Sequence, residues 1–329
     1  MRFKIFVWVL LILLVVFAGY KLYPFFAQKN KPDIKASKPP LPENKEPGML
    51  FAVVVENLPD ARPQSGFSQA EFVFETLTES GITRFLAFFG QDQDISKIGP
   101  VRSARPYFID WATGFGSVLV HSGASLEAES RIEELGDRLF DLNEFFNETY
   151  FWRDAGKKPP HNLFTSTELL NQAVFDENRR VLSGIGWAIR RENKEISTST
   201  VRQIEIDFSY PQYFVTFQYD AVSNVYMRFI ASKSDVDAET GKQIEAKNVA
   251  ILYTTSRVID QKLLTIDLQT LGSGRAVIFR DGQAIQARWK KDRADAPLRL
   301  LEADDSLIEL NPGLTWIGVL DQYGNAVWK

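Results

Sequence analysis

The sequence has no cysteine. That excludes disulfides, thiolate metal sites, a cysteine nucleophile and a lipid carried on an N-terminal cysteine. Histidine is almost as scarce, with only His121 and His161. No His-Glu-x-x-His or Gly-x-Ser-x-Gly pattern occurs, so neither a zincin-type metal site nor a nucleophile elbow is expected. No metal and no cofactor is implied. Positive charge is not in excess either. The net charge is −4, and no global basic field draws the chain to nucleic acid.

What is present is a long apolar start and abundant aromatic residues. Aromatics make up 13% of 329 residues, with 25 Phe, ample material for the cores of one or two domains. Arg2 and Lys4 precede an apolar run from Ile5 to Tyr20 that continues past Lys21 to Phe26. A bilayer-spanning helix needs roughly 20 predominantly apolar residues, so residues 1–27 read as a transmembrane signal-anchor. The rival is a cleaved signal peptide ending near Val16-Phe17-Ala18. The anchor is preferred because the run continues beyond Ala18. Residues 28–48 carry Pro32, Pro39, Pro40, Pro42 and Pro47 among Lys, Asn and Glu, the composition of an extended tether. The expectation is a single-pass protein of the cell membrane with its body on the extracytoplasmic side.

The body begins with Met49–Val55, an apolar run that reads as a buried strand. Ser68 and Glu71 have capping-box spacing, so Phe72–Leu77 is expected as a short helix running into a strand. Ile82–Phe89 is the next strand. Its single charge, Arg84, must face outward or meet an anion. Then comes Gly99-Pro-Val-Arg-Ser-Ala-Arg-Pro-Tyr-Phe108, with Arg102, Ser103 and Arg105 between two prolines. Each proline pushes its predecessor toward extended geometry, and each guanidinium offers a planar fork suited to carboxylate or phosphate. The stretch predicts a charged corner between a strand and a helix over Tyr107–Thr113. Ser117–His121 is a short strand, and Ser125 caps a helix through Leu135, which places His121 beside a helix N-terminus. Phe151–Ser166 mixes Arg153, Asp154, Lys157, Lys158, His161 and Asn162 with aromatics in a proline-bearing loop, the make-up of a binding surface. Thr165 or Ser166 then caps a helix over Thr167–Phe175.

Several of these strings resemble the YerB-like lipoproteins, a bacterial cell-envelope family defined by a domain of unknown function. They are Ala61-Arg-Pro-Gln-Ser-Gly, Gly81-Ile-Thr-Arg84, Ile98 to Phe108, His121-Ser-Gly-Ala and Pro160-His-Asn-Leu. The second half resembles the family's smaller companion domain through Val236-Asp-Ala-Glu-Thr-Gly, Ala246-Lys-Asn-Val, Gly272-Ser-Gly-Arg and Asn311-Pro-Gly-Leu-Thr-Trp-Ile. The resemblance implies an envelope protein and supplies no reaction.

After a charged, Gly-containing linker (177–199), residues 200–329 follow a β pattern with turns at Asp220–Asn224, Asp237–Lys242 and Asp281-Gly282. Gly272-Ser-Gly274 reads as a β-turn rather than a phosphate loop, since no helix pattern follows. The expected fold is therefore an α+β or α/β ligand-binding domain (49–176), then a smaller antiparallel β-rich accessory domain, with a transmembrane helix in front. Two functions fit. One is binding of an anionic cell-wall or lipid-linked ligand, or of an envelope protein partner, through a cleft lined by Arg62, Arg84, Arg102, Ser103, Arg105, His121, Arg153, His161 and Asn162. The other is an envelope phosphotransferase or hydrolase acting on a phosphodiester or glycan. There His121 or His161 would be general acid/base, oriented by Asp154 or Asp110. This layout is similar in outline to the LytR-CpsA-Psr ligases, whose arginine-lined pockets hold polyprenyl pyrophosphate.

Overall fold

In the computed structural model of the chain, residues 48–179, 183–184, 186–190, 200–262 and 264–329 are described. Their strands form two main β-sheets and a few short pairs. In chain order the strands are β1 (Leu50–Glu56), β2 (Phe72–Leu77), β3 (Thr83–Gly90), β4 (Val118–His121) and β5 (Phe140–Asn143). They continue with β6 (Gln203–Asp207), β7 (Phe214–Asp220), β8 (Val225–Ile230), β9 (Asn248–Tyr253), β10 (Gly272–Arg280), β11 (Gln283–Lys291), β12 (Arg299–Leu301), β13 (Thr315–Leu320) and β14 (Asn325–Trp328). The helices are α1 (Pro106–Gly114), α2 (Leu126–Leu135) and α3 (Thr167–Asp176).

The larger sheet has ten strands in the order β12-β11-β10-β9-β13-β2-β3-β1-β4-β5. Its middle is the parallel pair β2–β13, running from Phe72 opposite Thr315 to Thr76 opposite Val319. The smaller sheet runs β8-β7-β6-β14, extended by the short segments Lys233–Ser234 and Glu245–Ala246, both paired with β8.

Both faces of the larger sheet are covered, which explains why β1 is apolar at six successive positions instead of alternating. Leu50, Ala52 and Val54 face a core with Tyr107, Phe108 and Trp111 of α1, whereas Phe51, Val53 and Val55 face the smaller sheet and α3. On the α1 side Phe74 stacks on Trp111 at 4.5 Å between ring centres. Burying one such ring is worth roughly 2–3 kcal/mol. On the other side Phe217 of β7 and Phe85 of β3 pack around Trp316.

The expected fold class needs correction. The described chain is mostly β, and its central sheet passes without a break from strands of residues 50–143 to strands of residues 248–320. It is not an α/β or α+β domain followed by a self-contained β domain. Among the described residues no helix is long and apolar enough to cross a membrane. The run at residues 5–26, on which the anchor expectation rests, lies outside them, as does the tether up to Pro47.

Two local expectations also change. Phe72–Leu77 is strand throughout. Phe67–Gln69 makes only a single 3-10 turn, because Asp237 Oδ2 accepts from Ser68 N (2.9 Å) and the Glu71 N–H donates to Phe88 O, starting the β-ladder. Gly272-Ser-Gly274 is not a turn but the start of β10. A Cβ on Gly274 would lie 2.4 Å from Trp289 Nε1, so only glycine lets that indole donate to Tyr253 O at 2.8 Å. Within the expected linker, Trp187 packs in the core against Phe72 and Phe115.

Candidate functional site

The arginine corner forms because Ile98–Arg102 runs beside the end of β1 while Pro106 starts α1. Glu56 N donates to Pro100 O at 3.0 Å and Arg102 N to Val54 O at 2.9 Å. Arg105 is extended at the N-cap of α1, the geometry that the following proline favours.

The three guanidinium groups of the corner meet different fates. Arg105 grips Glu79 with two bonds, Nε to Oε2 at 2.9 Å and Nη2 to Oε1 at 2.6 Å. Arg84, buried on β3, donates to the same carboxylate at 3.3 Å and to Ser103 O at 3.0 Å. Burial alone would raise the pKa of Glu79. The Arg84 and Arg105 charges, with the Arg105 hydrogen bonds, outweigh it and hold the pKa at about 2. These two arginines are therefore occupied by an internal carboxylate.

Arg102 differs. Its Nε lies 2.6 Å from Oε2 of Glu56, and that carboxylate is fully buried. His161 Nδ1 approaches the same oxygen at 3.6 Å. The first contact is not aligned as a hydrogen bond and the second is too long for one, so both Glu56 oxygens, Arg102 Nε and His161 Nδ1 are buried without hydrogen-bond partners. Such groups are rare in protein interiors. The Arg102 side chain is 26% exposed. Among the described residues no partner engages its two terminal nitrogens or His161 Nε2.

A ring of polar contacts surrounds this trio. Ser122 N donates to Arg102 O, and Ser122 Oγ donates to Glu144 Oε2 at 2.9 Å. Glu144 Oε1 accepts from Arg153 at 3.1 Å, and Arg153 also reaches Asn162 Oδ1 at 3.4 Å. Asn162 follows His161, whose ring returns to Glu56. Ser103 braces the corner by donating to Ser122 O at 2.9 Å.

The remaining predicted residues have partners of their own. Asp154 does not orient a histidine. It accepts from Lys97 Nζ at 2.6 Å and from Gly156 N, bonds that lower its pKa. Burial alone would lower the pKa of Lys97, but Asp154 and Glu239 raise it. Lys157 crosses to the carbonyls of Ala61 and Pro63, and its pKa is lowered by burial and then by Lys97. Arg62 donates to Asn57 and lies 5.4 Å from the centre of the Tyr213 ring. Its pKa falls to about 10 through burial and the charge of Arg228.

His121 is fully buried between acceptors, Gly123 O at 2.8 Å from Nδ1 and Asp141 Oδ1 at 2.6 Å from Nε2. It is a structural link between β4 and β5, with no free ring nitrogen. Asp110, on α1, accepts from Arg131 and Thr270 and meets neither histidine. Of the predicted residues, Arg102, Ser103, Arg153, His161 and Asn162 come together. Arg84 and Arg105 form a second cluster on Glu79.

Sequence reasoning missed Glu56, Glu79 and Glu75. The rule applied to Arg84, that a strand charge needs a partner, applied equally to Glu56 and Glu75. Glu75 of β2 is buried and takes bonds from Arg228 of β8 at 2.8 Å and from Trp316 at 3.0 Å. Arg228 also meets Asp235, which completes an ion triad between the two sheets. A small apolar concavity lies elsewhere, with Trp111, Leu252, Trp289 and Leu298 in its lining, and it holds none of the site residues.

Residues 38–180 match the model of the N-terminal domain of a protein family of unknown function, DUF3048, and residues 204–317 match that of its C-terminal domain. A Bacillus subtilis (strain 168) protein named "Putative lipoprotein YerB" is 34% identical over 274 residues, covering 82% of this chain and 80% of its own length. The crystal structure of the YerB protein from Bacillus subtilis superposes with a TM-score of 0.74 at 30% identity, over 85% of this chain and 94% of that one.

Proposed function

The chain belongs to the DUF3048 family, and from that premise we propose that it is an envelope-associated protein which binds an anionic group through Arg102. The lipoprotein name of its Bacillus relative supports the envelope setting. The observation that carries the anion reading is the contrast within the corner. Glu79 consumes Arg84 and Arg105, whereas the terminal nitrogens of Arg102 have no partner among the described residues and the side chain reaches solvent. A fork held from behind by Glu56 and open in front suits a phosphate or carboxylate oxygen pair. His161 Nε2 supplies a second donor at the rim.

Thermal-shift measurement with pyrophosphate, a soluble polyprenyl phosphate and muropeptides tests this. Stabilisation by one of these anions that disappears in Arg102→Ala and persists in Arg257→Ala, an exposed arginine paired with Asp267, supports the reading. Indifference to every anion rejects it.

Glu56 favours a second reading. A buried carboxylate behind His161 Nδ1 is the arrangement that orients an imidazole for general acid/base work, and contacts looser than a hydrogen bond often tighten when substrate arrives. His161 would then act on a phosphodiester held by Arg102. Turnover of bis(4-nitrophenyl) phosphate with a pH profile abolished in His161→Ala supports catalysis. A flat, background rate leaves binding as the function.

A further inference from the structure

Next to the polar ring in sequence stand two largely exposed aromatic side chains. Phe145 and Phe146, in the turn after β5, are 68% and 84% exposed. Adjacent phenylalanines this open are unusual on a soluble surface, where isolated apolar residues are the rule. The backbone holds the turn firmly. Glu144 N donates to His121 O, Phe145 N donates to Asn143 Oδ1, and Phe146 N donates to Asn143 O.

The turn is also fixed against the arginine corner. A Cβ on Gly123 would lie 3.1 Å from the Phe145 ring and 3.6 Å from Ser103 Oγ, so the ring covers the residue that follows Ser122. Ser122 in turn bonds Arg102 O. Glu144, the acid at the start of the turn, is engaged by Ser122 and Arg153. Lys158, exposed in the neighbouring loop, adds positive charge on the His161 side. Glu148, just beyond the turn, and the glutamates of α2 oppose it.

We propose that the Phe145–Phe146 turn and the open fork of Arg102 form one docking site for an anionic bilayer surface. The two rings enter the boundary between headgroups and acyl chains while Arg102 meets a lipid phosphate. This rests on the anion reading of Arg102 and deepens it by naming the ligand as a phospholipid headgroup in a membrane. The occupant is argued from charge and apolarity side by side. A soluble anion uses Arg102 and leaves the rings bare, whereas a bilayer engages both.

Because the chain has no cysteine, Phe146→Cys in the full chain takes a polarity-sensitive thiol fluorophore at one place. Val222→Cys, in the exposed turn between β7 and β8, serves as the control. Each is mixed with vesicles of phosphatidylcholine, with vesicles of three parts phosphatidylcholine to one part phosphatidylglycerol, and with dihexanoyl phosphatidylglycerol below its micelle concentration. The expected result is a blue shift at 146 that is larger on the anionic vesicles, at least halved by Arg102→Ala, and absent at 222. No shift at 146, an equal shift at both sites, or a shift that survives Arg102→Ala overturns the proposal. A shift produced by the dispersed lipid alone also overturns it, in favour of a single bound amphiphile. Pyrophosphate binding that depends on Arg102, found without any shift at 146, overturns the bilayer site and leaves the anion reading intact.

Discussion

At the scale of single residues, the corner separates charges that hold the fold from one that is available. Glu79 belongs to the first group. A carboxyl held at about 2 in the fold, against an ordinary 4.5, stabilises the native state fully above the ordinary value. That contribution, roughly 3 kcal/mol at full strength, drains away as pH falls from 4.5 toward 2. Urea midpoints measured across this window should drop steeply for the natural chain and much less for Glu79→Gln, which starts lower. Arg102 is the available charge, and the negative charge of Glu56 2.6 Å from its Nε opposes any incoming anion. Glu56→Gln removes that opposition without changing shape. It should tighten anion binding about 3–10-fold, read by titration calorimetry. The arginine pair and the proline geometry of the corner were legible in the sequence. The partners were not, because each carboxylate arrives from a different loop or strand end.

At the scale of elements, the two sheets are joined by a buried ion triad. Arg228 of β8 lies between Glu75 of β2 and Asp235, with the Trp316 ring 4.2 Å from its guanidinium carbon. Removing one member of a buried pair strands the others, at a cost of about 3–5 kcal/mol. Arg228→Ala should therefore destabilise by that amount in chemical denaturation. Glu75→Gln/Arg228→Met, which removes charge from both strands, should recover part of the loss. Elements with local signals were legible: Ser125 and Ser166 do cap α2 and α3, and β1 and β3 follow from their apolar runs. Ser68 misled because its backbone amide is taken by Asp237, far along the chain. Only tertiary contact distinguishes that from a helix cap.

At the scale of the whole molecule, the β2–β13 pairing makes the two halves of residues 48–329 share one sheet. They should unfold in a single cooperative transition, with coincident fluorescence and circular dichroism curves. A fragment of residues 48–180 lacks β13 against β2 and Arg228 against Glu75, and should show no cooperative melt. Separable transitions, or a folded fragment, would refute the shared core. The sequence pointed instead to two successive domains, since the two halves differ in composition and the linker between them is charged. Strand patterns reveal which segments are β but not which distant segment becomes a neighbour. The continuity of the sheet was therefore not legible, whereas the strands themselves mostly were.

The central claim is that Arg102 is the one guanidinium of the corner free to hold an anion while Glu56 restrains it from behind. Calorimetric titration of pyrophosphate into the natural chain, Arg102→Ala and Glu56→Gln tests it with opposite signs. The account predicts measurable binding that vanishes in the first variant and strengthens in the second. Binding that is absent throughout, or the same in all three proteins, would contradict it.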